Sequence, residues 1–110
     1  MDLSQEALER LAAEVGQALV SRRYTLATAE SCTGGWVAQA MTAVAGSSAW
    51  FDRGFVTYSN SAKMDLLGVP EEILARFGAV SEQTVLAMAH GALHHSQAQV
   101  ACAISGIAGP

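Results

Sequence analysis

Residues 24–35 read YTLATAESCTGG, a short apolar run that passes directly into a polar turn with two glycines. The first six of these residues predict a β-strand, and the last five lead into a helix that ends at Gly46. A strand that turns into a helix through glycines lets backbone amides face a ligand, so such a turn can stabilise an oxyanion or bind phosphate. The pattern alone leaves an equal alternative, in which Ser31 or Thr33 only caps the helix.

A helix precedes this stretch. Apolar residues recur at the spacing of one helical face from Leu8 to Leu19, and Asp2 or Ser4 can cap the first turn. We expect this helix to end near residues 22–23, so the chain enters the first strand directly from a helix.

Downstream, caps and glycines divide the chain into further elements. Aromatic and β-branched residues at 55–58 predict a second strand. Asn60 is placed to cap a helix of about two turns that ends at Gly68. Another helix opens with Pro70 at its first position and closes at Gly78.

A longer helix and a third strand complete the pattern. Ser81 caps the helix, and Val80 and Val85 are placed as a hydrophobic staple across the cap. The buried face of this helix is predicted to carry Val85, Met88, Ala89 and Ala92. Residues 99–104 form a continuous apolar run that suits a parallel strand covered on both faces.

Strands that alternate with helices predict right-handed crossovers and a mainly parallel sheet between two helical layers, which is a three-layer α/β/α fold. Ligands in such folds bind beyond the carboxyl ends of the strands. All three predicted strands lead into polar or glycine-rich turns, at residues 30–35, 59–60 and 105–110. We therefore expect the three turns to converge on one site.

Length and composition limit the class of protein. A chain of 110 residues, of which 51% are hydrophobic, can build one core, so we expect one domain over residues 1–110. The net charge of -4 and the scattered basic residues argue against a nucleic-acid partner. The acidic start is unlike a signal peptide, and no apolar run reaches the ~20 residues of a membrane span. We expect a cytoplasmic protein with no membrane partner.

The last residues follow a strand that we predict to be central in the sheet, with no helix after it to cover that sheet. A compact domain rarely ends at such a point, so we expect this domain to be incomplete at its C-terminus. Apolar surface left exposed in this way would drive oligomerisation or lower the solubility, and of the two we expect a homo-oligomer.

Ser31 and Lys63 are the strongest candidates for catalysis. A serine nucleophile needs a base, and Lys63 lies in the next polar turn, three residues after the expected cap Asn60. A cation in a first helical turn opposes the helix dipole, and burial in a pocket would also penalise the ammonium form. Both effects would lower the lysine pKa and favour the neutral amine. A neutral lysine can accept a serine proton. From the residues alone, however, a solvated surface lysine is the favoured alternative.

The histidines give only a weak indication of a metal site. His90 and His94 share a helix face at i, i+4 spacing, which could bind a metal ion. The H-E-x-x-H pattern of zinc hydrolases needs a glutamate where this sequence has Gly91. A solvated helix face is the favoured interpretation, and we expect no metal.

The two cysteines show no metal-ligand spacing, so we expect free thiols. Cys32 is a second possible nucleophile, since a helix N-terminus lowers a thiol pKa, but no histidine lies in a neighbouring turn. Cys102 is predicted to be buried in its strand. Three further residues are predicted to lie in the core: Trp36, Met41 and Met88.

Five segments of the sequence together resemble a known family, the C-terminal domain of CinA, whose stand-alone members are nicotinamide-nucleotide amidohydrolases. The segments extend over nearly the whole chain in matching order and spacing. They are residues 29–35 (AESCTGG), 56–63 (VTYSNSAK), 66–69 (LLGV), 78–81 (GAVS) and 105–110 (SGIAGP).

The resemblance implies hydrolysis of the amide of nicotinamide mononucleotide to nicotinate mononucleotide and ammonia, without metal or cofactor, in pyridine-nucleotide salvage. Ser31 falls on the family's nucleophile and Lys63 on its catalytic lysine, and Tyr58 is carried over as a third catalytic residue. The residues that the resemblance assigns to substrate binding are Glu30, Cys32, Thr33, Gly34, Gly35, Asn60, Ser105, Gly106, Ile107, Ala108 and Gly109.

The sequence departs from the family in two ways. No segment of it resembles the N-terminal nucleotide-binding-like domain of full-length CinA, so we expect it to correspond to the stand-alone amidohydrolase. Family members continue beyond the equivalent of residue 110 through a glycine-rich segment, a further strand and a terminal helix. The competing interpretation is a non-catalytic nucleotide-binding or regulatory module that keeps the fold and its phosphate-holding turns. Ammonia release from nicotinamide mononucleotide would distinguish the two.

Overall fold

The computed structural model describes residues 4–107, and within this range successive strands are always separated by one or more helices, an alternation of strands with helical segments. In chain order the elements are α1 (Gln5–Arg22), β1 (Leu26–Glu30), α2 (Trp36–Thr42), a short 3₁₀ helix (Ser47–Ala49), β2 (Phe51–Val56), α3 (Asn60–Leu67), α4 (Glu71–Phe77), α5 (Glu82–His94) and β3 (Val100–Ile104). None of the described helices is long and apolar enough to cross a lipid bilayer. The alternation confirms the predicted α/β class.

β1 lies at the centre of a three-stranded parallel sheet with the order β2-β1-β3. At its carboxyl end, Glu30 lies beside Val56 of β2 and Ile104 of β3. All five residues of β1 are buried, as expected for a parallel strand covered on both faces. The carboxyl ends of the three strands therefore meet at one edge of the sheet, around Glu30.

Hydrophobic clusters lie on both faces of the sheet. Alternate β1 residues point to opposite faces, so Ala27 and Ala29 pack on one side and Leu26 on the other. The buried partners on the first side come from the region of α3 to α5 and are Leu67, Val69, Leu74, Met88 and Ala92. On the second side Leu26 packs with Leu19 of α1 and with Trp50. Together the clusters confirm the three predicted layers.

The prediction that β3 is a central, fully buried strand is wrong for residues 4–107. β3 pairs with β1 alone and forms one edge of the described sheet, and every residue of β3 keeps some exposure. Cys102, predicted to be buried, is exposed, whereas Ala101 and Ala103 contact the core cluster. The reason is that α5 packs against the face of β3 that carries the two alanines, and Cys102 points the opposite way.

Two strands have different bounds from those predicted. β1 spans Leu26–Glu30 rather than residues 24–29, so Glu30 belongs to the strand and not to the turn after it. β2 spans Phe51–Val56 rather than residues 55–58. The first half of β2 carries the charged pair Asp52 and Arg53, which bind each other and stay partly exposed at the edge of the described sheet. Hydrophobicity alone therefore does not reveal this strand.

Side-chain caps and glycines set most of the helix ends as predicted. Ser4 and Ser81 cap α1 and α5, and Gly68, in the left-handed region, ends α3. The cap of α3 is Ser59 rather than Asn60, because the Ser59 hydroxyl accepts a backbone N–H of the first turn at 3.0 Å.

The second helix is shorter than predicted, because α2 ends at Thr42 and a separate 3₁₀ helix follows it. Trp36, predicted to lie in the core, is 52% exposed at the start of α2. Trp50, which the apolar pattern did not single out, is the tryptophan that is buried. Met88 is buried as predicted, and Met41 is partly buried against the Trp50 cluster.

α3 and α5 make a close approach at Gly91. This glycine is buried, and a Cβ atom placed on it would overlap the main-chain carbonyl of Leu67 at the end of α3. A main-chain carbonyl cannot rotate away as a flexible side chain can, so the contact leaves no room for a methyl group. Gly91 therefore allows α3, the helix that carries Lys63, to lie against α5.

Gly91→Ala should lower the free energy of unfolding by about 1–3 kcal/mol, because the added methyl group would force α3 away from α5. At an unconstrained helix position the same change would instead stabilise by about 1 kcal/mol. Urea unfolding followed by circular dichroism measures the difference. His90→Ala, at the exposed neighbouring position, is the control and should change stability by less than about 0.5 kcal/mol. A more stable Gly91→Ala variant would contradict the close approach.

Candidate active site

A pocket of about 210 Å³ opens where the three strands end. Its walls come from the turn after β1, the start of α3 with the residues before it, the α4–α5 loop and the loop after β3. It is lined by Ser31, Cys32, Tyr58, Lys63, Ala79, Val80, Ser105 and Gly106. Three larger, mainly apolar grooves, two beside α1 and one beside α5, share none of these side chains. The segments that follow the three strands therefore converge as expected, and the α4–α5 loop adds a wall that was not predicted.

Ser31 follows directly after β1, where the sheet holds it in place. Its backbone N–H donates to the carbonyl of Ile104 at 3.0 Å, so the residue is tied to the end of β3. The side chain is 6% exposed, and its hydroxyl lies 3.3 Å from the Tyr58 carbonyl. Ser31 is therefore a nearly buried hydroxyl at the bottom of the pocket.

Lys63 enters the pocket from the first turns of α3. Its side chain is 1% exposed, so the favoured sequence-based alternative of a solvated surface lysine is wrong. The amine Nζ donates to Ser31 Oγ at 3.1 Å and to the carbonyls of Thr57 and Tyr58 at 3.0 Å each. Lys63 is also the only lysine in the sequence, which is a signal that the sequence analysis did not use.

Burial lowers the pKa of Lys63, because the ammonium form loses its hydration. A smaller Coulombic interaction with Cys32 acts in the opposite direction. Among residues 4–107, no carboxylate forms an ion pair with the amine. The direction of the pKa shift agrees with the prediction, and burial, one of the two predicted causes, is the larger contribution.

The three acceptors around Nζ define what the amine can do. As an ammonium ion, Lys63 has three protons for three oxygen atoms. As a neutral amine it keeps two N–H donors, which the carbonyls of Thr57 and Tyr58 can accept, and its lone pair is then directed at Ser31 Oγ. The two carbonyls thus orient the amine for proton transfer from the serine hydroxyl.

The other pocket residues contribute in different ways. Tyr58 contributes its main-chain carbonyl, which accepts a hydrogen bond from Lys63, while its side chain is 72% exposed at the rim of the pocket. Gly106 lies so near Cys32 that a Cβ atom there would approach the Cys32 sulfur at 3.3 Å. The Ser105 hydroxyl donates to the Ala79 carbonyl at 2.7 Å and ties the loop after β3 to the α4–α5 loop.

Several residues that the resemblance assigned to substrate binding do not line this pocket. They are Glu30, Thr33, Gly34, Gly35, Asn60 and Ile107. Ala108 and Gly109 lie outside the described residues. Sequence reasoning missed the carbonyl of Thr57 and the walls formed by Ala79 and Val80. No side-chain chemistry marks these three positions, although residues 78–81 belong to a segment on which the resemblance rests.

The histidines of α5 lie on an exposed face. His90 and His94 are both exposed, as the interpretation of a solvated helix face requires. Within the part of the chain that the structure describes, no three side chains of His, Cys, Asp or Glu come together in a way that could hold a metal ion.

The fold and the pocket together define a class of protein, an α/β protein in which a parallel sheet ends at a buried serine–lysine pair. Such pairs act as nucleophile and base in hydrolases of unrelated folds. Comparison with known families is more specific, because the model described as the CinA C-terminal domain matches residues 8–110. The chain therefore belongs to the CinA C-terminal domain family.

Individual relatives agree with this assignment. The protein named nicotinamide-nucleotide amidohydrolase PncC from Escherichia coli K12 is 59% identical over 108 residues, which are 98% of this chain and 66% of that protein. A putative competence-damage inducible protein of Symbiobacterium thermophilum is 61% identical over 102 residues, which are 93% of this chain and 24% of that protein. This chain thus spans less than two thirds of the length of either relative.

Solved structures show the same fold. The crystal structure of the competence/damage inducible protein CihA from Agrobacterium tumefaciens matches with a TM-score of 0.91 at 54% identity, covering 100% of this chain and 67% of that one. A CinA superfamily protein from Escherichia coli matches with a TM-score of 0.93 at 39% identity, covering 100% of this chain and 64% of that one.

The lowered pKa of Lys63 makes stability depend on pH with a defined sign. An unfolded lysine titrates near ~10.4, so between the folded pKa and this value the unfolded chain binds more protons than the folded chain. The contribution of Lys63 to the free energy of unfolding should therefore rise with pH across this window and level off outside it.

Urea unfolding measures this contribution as the difference in the free energy of unfolding between the wild type and Lys63→Met, determined at several values from about pH 7 to about pH 10. The difference should grow in favour of the wild type as pH rises. Arg76→Met, which removes an exposed cation of α4, is the control and should give a difference that is flat with pH. Equal pH dependence in the wild type and Lys63→Met would contradict the burial argument.

Proposed function

We propose that this chain is an amidohydrolase domain that converts nicotinamide mononucleotide to nicotinate mononucleotide and ammonia, with Ser31 as nucleophile and Lys63 as base. The observation that carries the proposal is the 3.1 Å contact between the buried Lys63 amine and the Ser31 hydroxyl in the pocket. The choice of substrate is supported by the Escherichia coli relative, which is named a nicotinamide-nucleotide amidohydrolase.

In the first half-reaction, the Ser31 hydroxyl gives its proton to neutral Lys63 as Oγ attacks the carboxamide carbon of the substrate. The new O–C bond produces a tetrahedral intermediate with a negatively charged oxygen. When this intermediate collapses, the C–N bond breaks and the Lys63 ammonium returns its proton to the leaving nitrogen. Ammonia departs, and the nicotinoyl group remains as an ester on Ser31.

In the second half-reaction, a water molecule gives a proton to neutral Lys63 and attacks the ester carbon. The C–Oγ bond then breaks, and Lys63 returns the proton to Ser31. The net reaction consumes one water and releases one carboxylic acid and one ammonia, which near neutral pH are carboxylate and ammonium. The carbonyls of Thr57 and Tyr58 keep the amine within reach of Ser31 through both steps.

The geometry favours this activity over a non-catalytic nucleotide-binding or regulatory module. A binding module does not require a lysine amine buried against a serine hydroxyl, and such burial has an energetic cost. Action on another small amide would use the same chemistry, and a substrate panel would reveal it. We further propose that the protein is a cytoplasmic homo-oligomer that acts in pyridine-nucleotide salvage without a cofactor. Size-exclusion chromatography tests whether it self-associates.

Ser31→Ala and Lys63→Ala should each reduce ammonia release from nicotinamide mononucleotide by about 10³-fold or more, since either change removes a required half of the pair. The double variant should be little slower than either single one, because groups that act as a unit are not additive. Ser21→Ala, on the exposed face of α1, is the matched control and should retain the wild-type rate. Additive losses, or an active Ser31→Ala, would exclude the mechanism.

Activity should increase with pH as Lys63 loses its proton, and the midpoint should lie below the ~10.4 of a free lysine because burial lowers the Lys63 pKa. Lys63→Arg should be inactive at every accessible pH, since a guanidinium group does not act as a base near neutral pH. Ammonia release at saturating substrate measures both effects. Near-normal turnover in Lys63→Arg would exclude Lys63 as the base and favour Cys32 or a base from elsewhere.

A further inference from the structure

Glu30 is a buried carboxylate at the junction between β1 and the turn that carries Ser31. Its side chain is 1% exposed, and no cation within residues 4–107 forms an ion pair with it. One oxygen, Oε1, accepts hydrogen bonds from the Thr33 hydroxyl at 2.7 Å and from the Val37 N–H at 2.8 Å. The other, Oε2, accepts from the Ala38 N–H at 2.9 Å. Both oxygens are therefore occupied by this chain's own donors.

These hydrogen bonds close the turn around the serine. Glu30 and Thr33 flank Ser31 in sequence, so the bond between their side chains spans the turn of the nucleophile itself. The two backbone donors belong to the first turn of α2, where unpaired N–H groups and the helix dipole favour a carboxylate. A change in the shape of this turn would break at least one of the three bonds.

The main chain of Glu30 also connects to the lysine. Its carbonyl accepts the N–H of Thr57 at 2.8 Å, and the carbonyl of Thr57 in turn accepts from the Lys63 amine at 3.0 Å. Glu30 is thus joined to Ser31 by a peptide bond and is linked to Lys63 through Thr57 by two hydrogen bonds to main-chain carbonyls.

We infer that Glu30 is a positioning residue whose carboxylate fixes the turn so that Ser31 Oγ stays within proton-transfer distance of Lys63. This inference rests on the proposed amidohydrolase function. It differs from the substrate-binding role that the family resemblance assigned to Glu30 and Thr33, because their polar atoms are bonded to each other and to α2. A positioning role should appear in kcat, whereas loss of a substrate contact should appear in KM.

Thr33→Val in the full chain is the most direct test, because it removes one donor to Glu30 and nearly preserves side-chain shape. Glu30→Gln is less suitable, since its amide N–H groups would face backbone N–H groups and could prevent folding. In Thr33→Val, kcat for ammonia release should fall about 10-fold to 100-fold while KM stays within about 2-fold of the wild type. Thr33→Ser, which keeps the hydroxyl, should restore kcat.

The matched control is Thr42→Val at the other end of α2. The Thr42 hydroxyl donates to the carbonyl of Ala38 at 2.9 Å, outside the pocket, and kcat should not change when it is removed. A raised KM with normal kcat in Thr33→Val would show that Thr33 contacts the substrate and would overturn the inference. Normal values of both parameters would overturn it as well.

A second readout separates failure of this inference from failure of the proposed function. In a Cys102→Ser background Cys32 is the only cysteine, and its alkylation by iodoacetamide reports on the turn without any substrate. Thr33→Val should speed this alkylation several-fold, and Thr33→Ser should not. If the wild type releases no ammonia from nicotinamide mononucleotide, the proposed function fails, and the alkylation rates alone then test the positioning role of Glu30. Equal alkylation rates in Thr33→Val and the wild type would then overturn the positioning role.

Discussion

The burial of the Lys63 amine against three oxygen atoms constrains the rest of the site. A lysine that is 1% exposed loses its hydration and needs hydrogen bonds in place of water. Two of these bonds come from the consecutive carbonyls of Thr57 and Tyr58, which turn towards the lysine after β2 ends at Val56. The third acceptor is the Ser31 hydroxyl. The end of β2, the start of α3 and the position of Ser31 must therefore all be compatible with the same three hydrogen bonds to the Lys63 amine.

The sheet and its helices satisfy this requirement through close packing. Because β1 is the central strand, the residue that follows it lies between the ends of two neighbouring strands and is held by the Ile104 carbonyl. Small side chains at Ala27 and Ala29 lie in the same core cluster as buried residues of α3 and α5, and Gly91 lets these helices approach each other. The Ser105 hydroxyl then joins two loops across the pocket. The serine and lysine are held mainly by elements of regular structure, which favours a preorganised site.

Local patterns predicted the order of the main helices and strands. Serine caps and C-terminal glycines marked most helix ends correctly, since these signals act within one turn. The resemblance pointed to Ser31 and Lys63, and the structure brings their side chains into contact, although the residues alone favoured a solvated lysine. β2 was misplaced because an edge strand can carry charged residues, so its pairing with β1 leaves little trace in hydrophobicity.

The sequence by itself determined the α/β class and the turn after β1, because both depend on residue type at short spacing, and its family resemblance pointed to Ser31 and Lys63 as the candidate pair. Only the tertiary structure decided which side chains are buried: Trp50 rather than Trp36, and the alanines of β3 rather than Cys102. It also showed that Glu30 contacts α2 and that Thr57 contributes a carbonyl to the lysine. The burial of a side chain depends on which distant element covers that face of the helix or strand, and a local pattern does not contain this information. Every residue has a main-chain carbonyl, so no local pattern shows which carbonyl will point into the site.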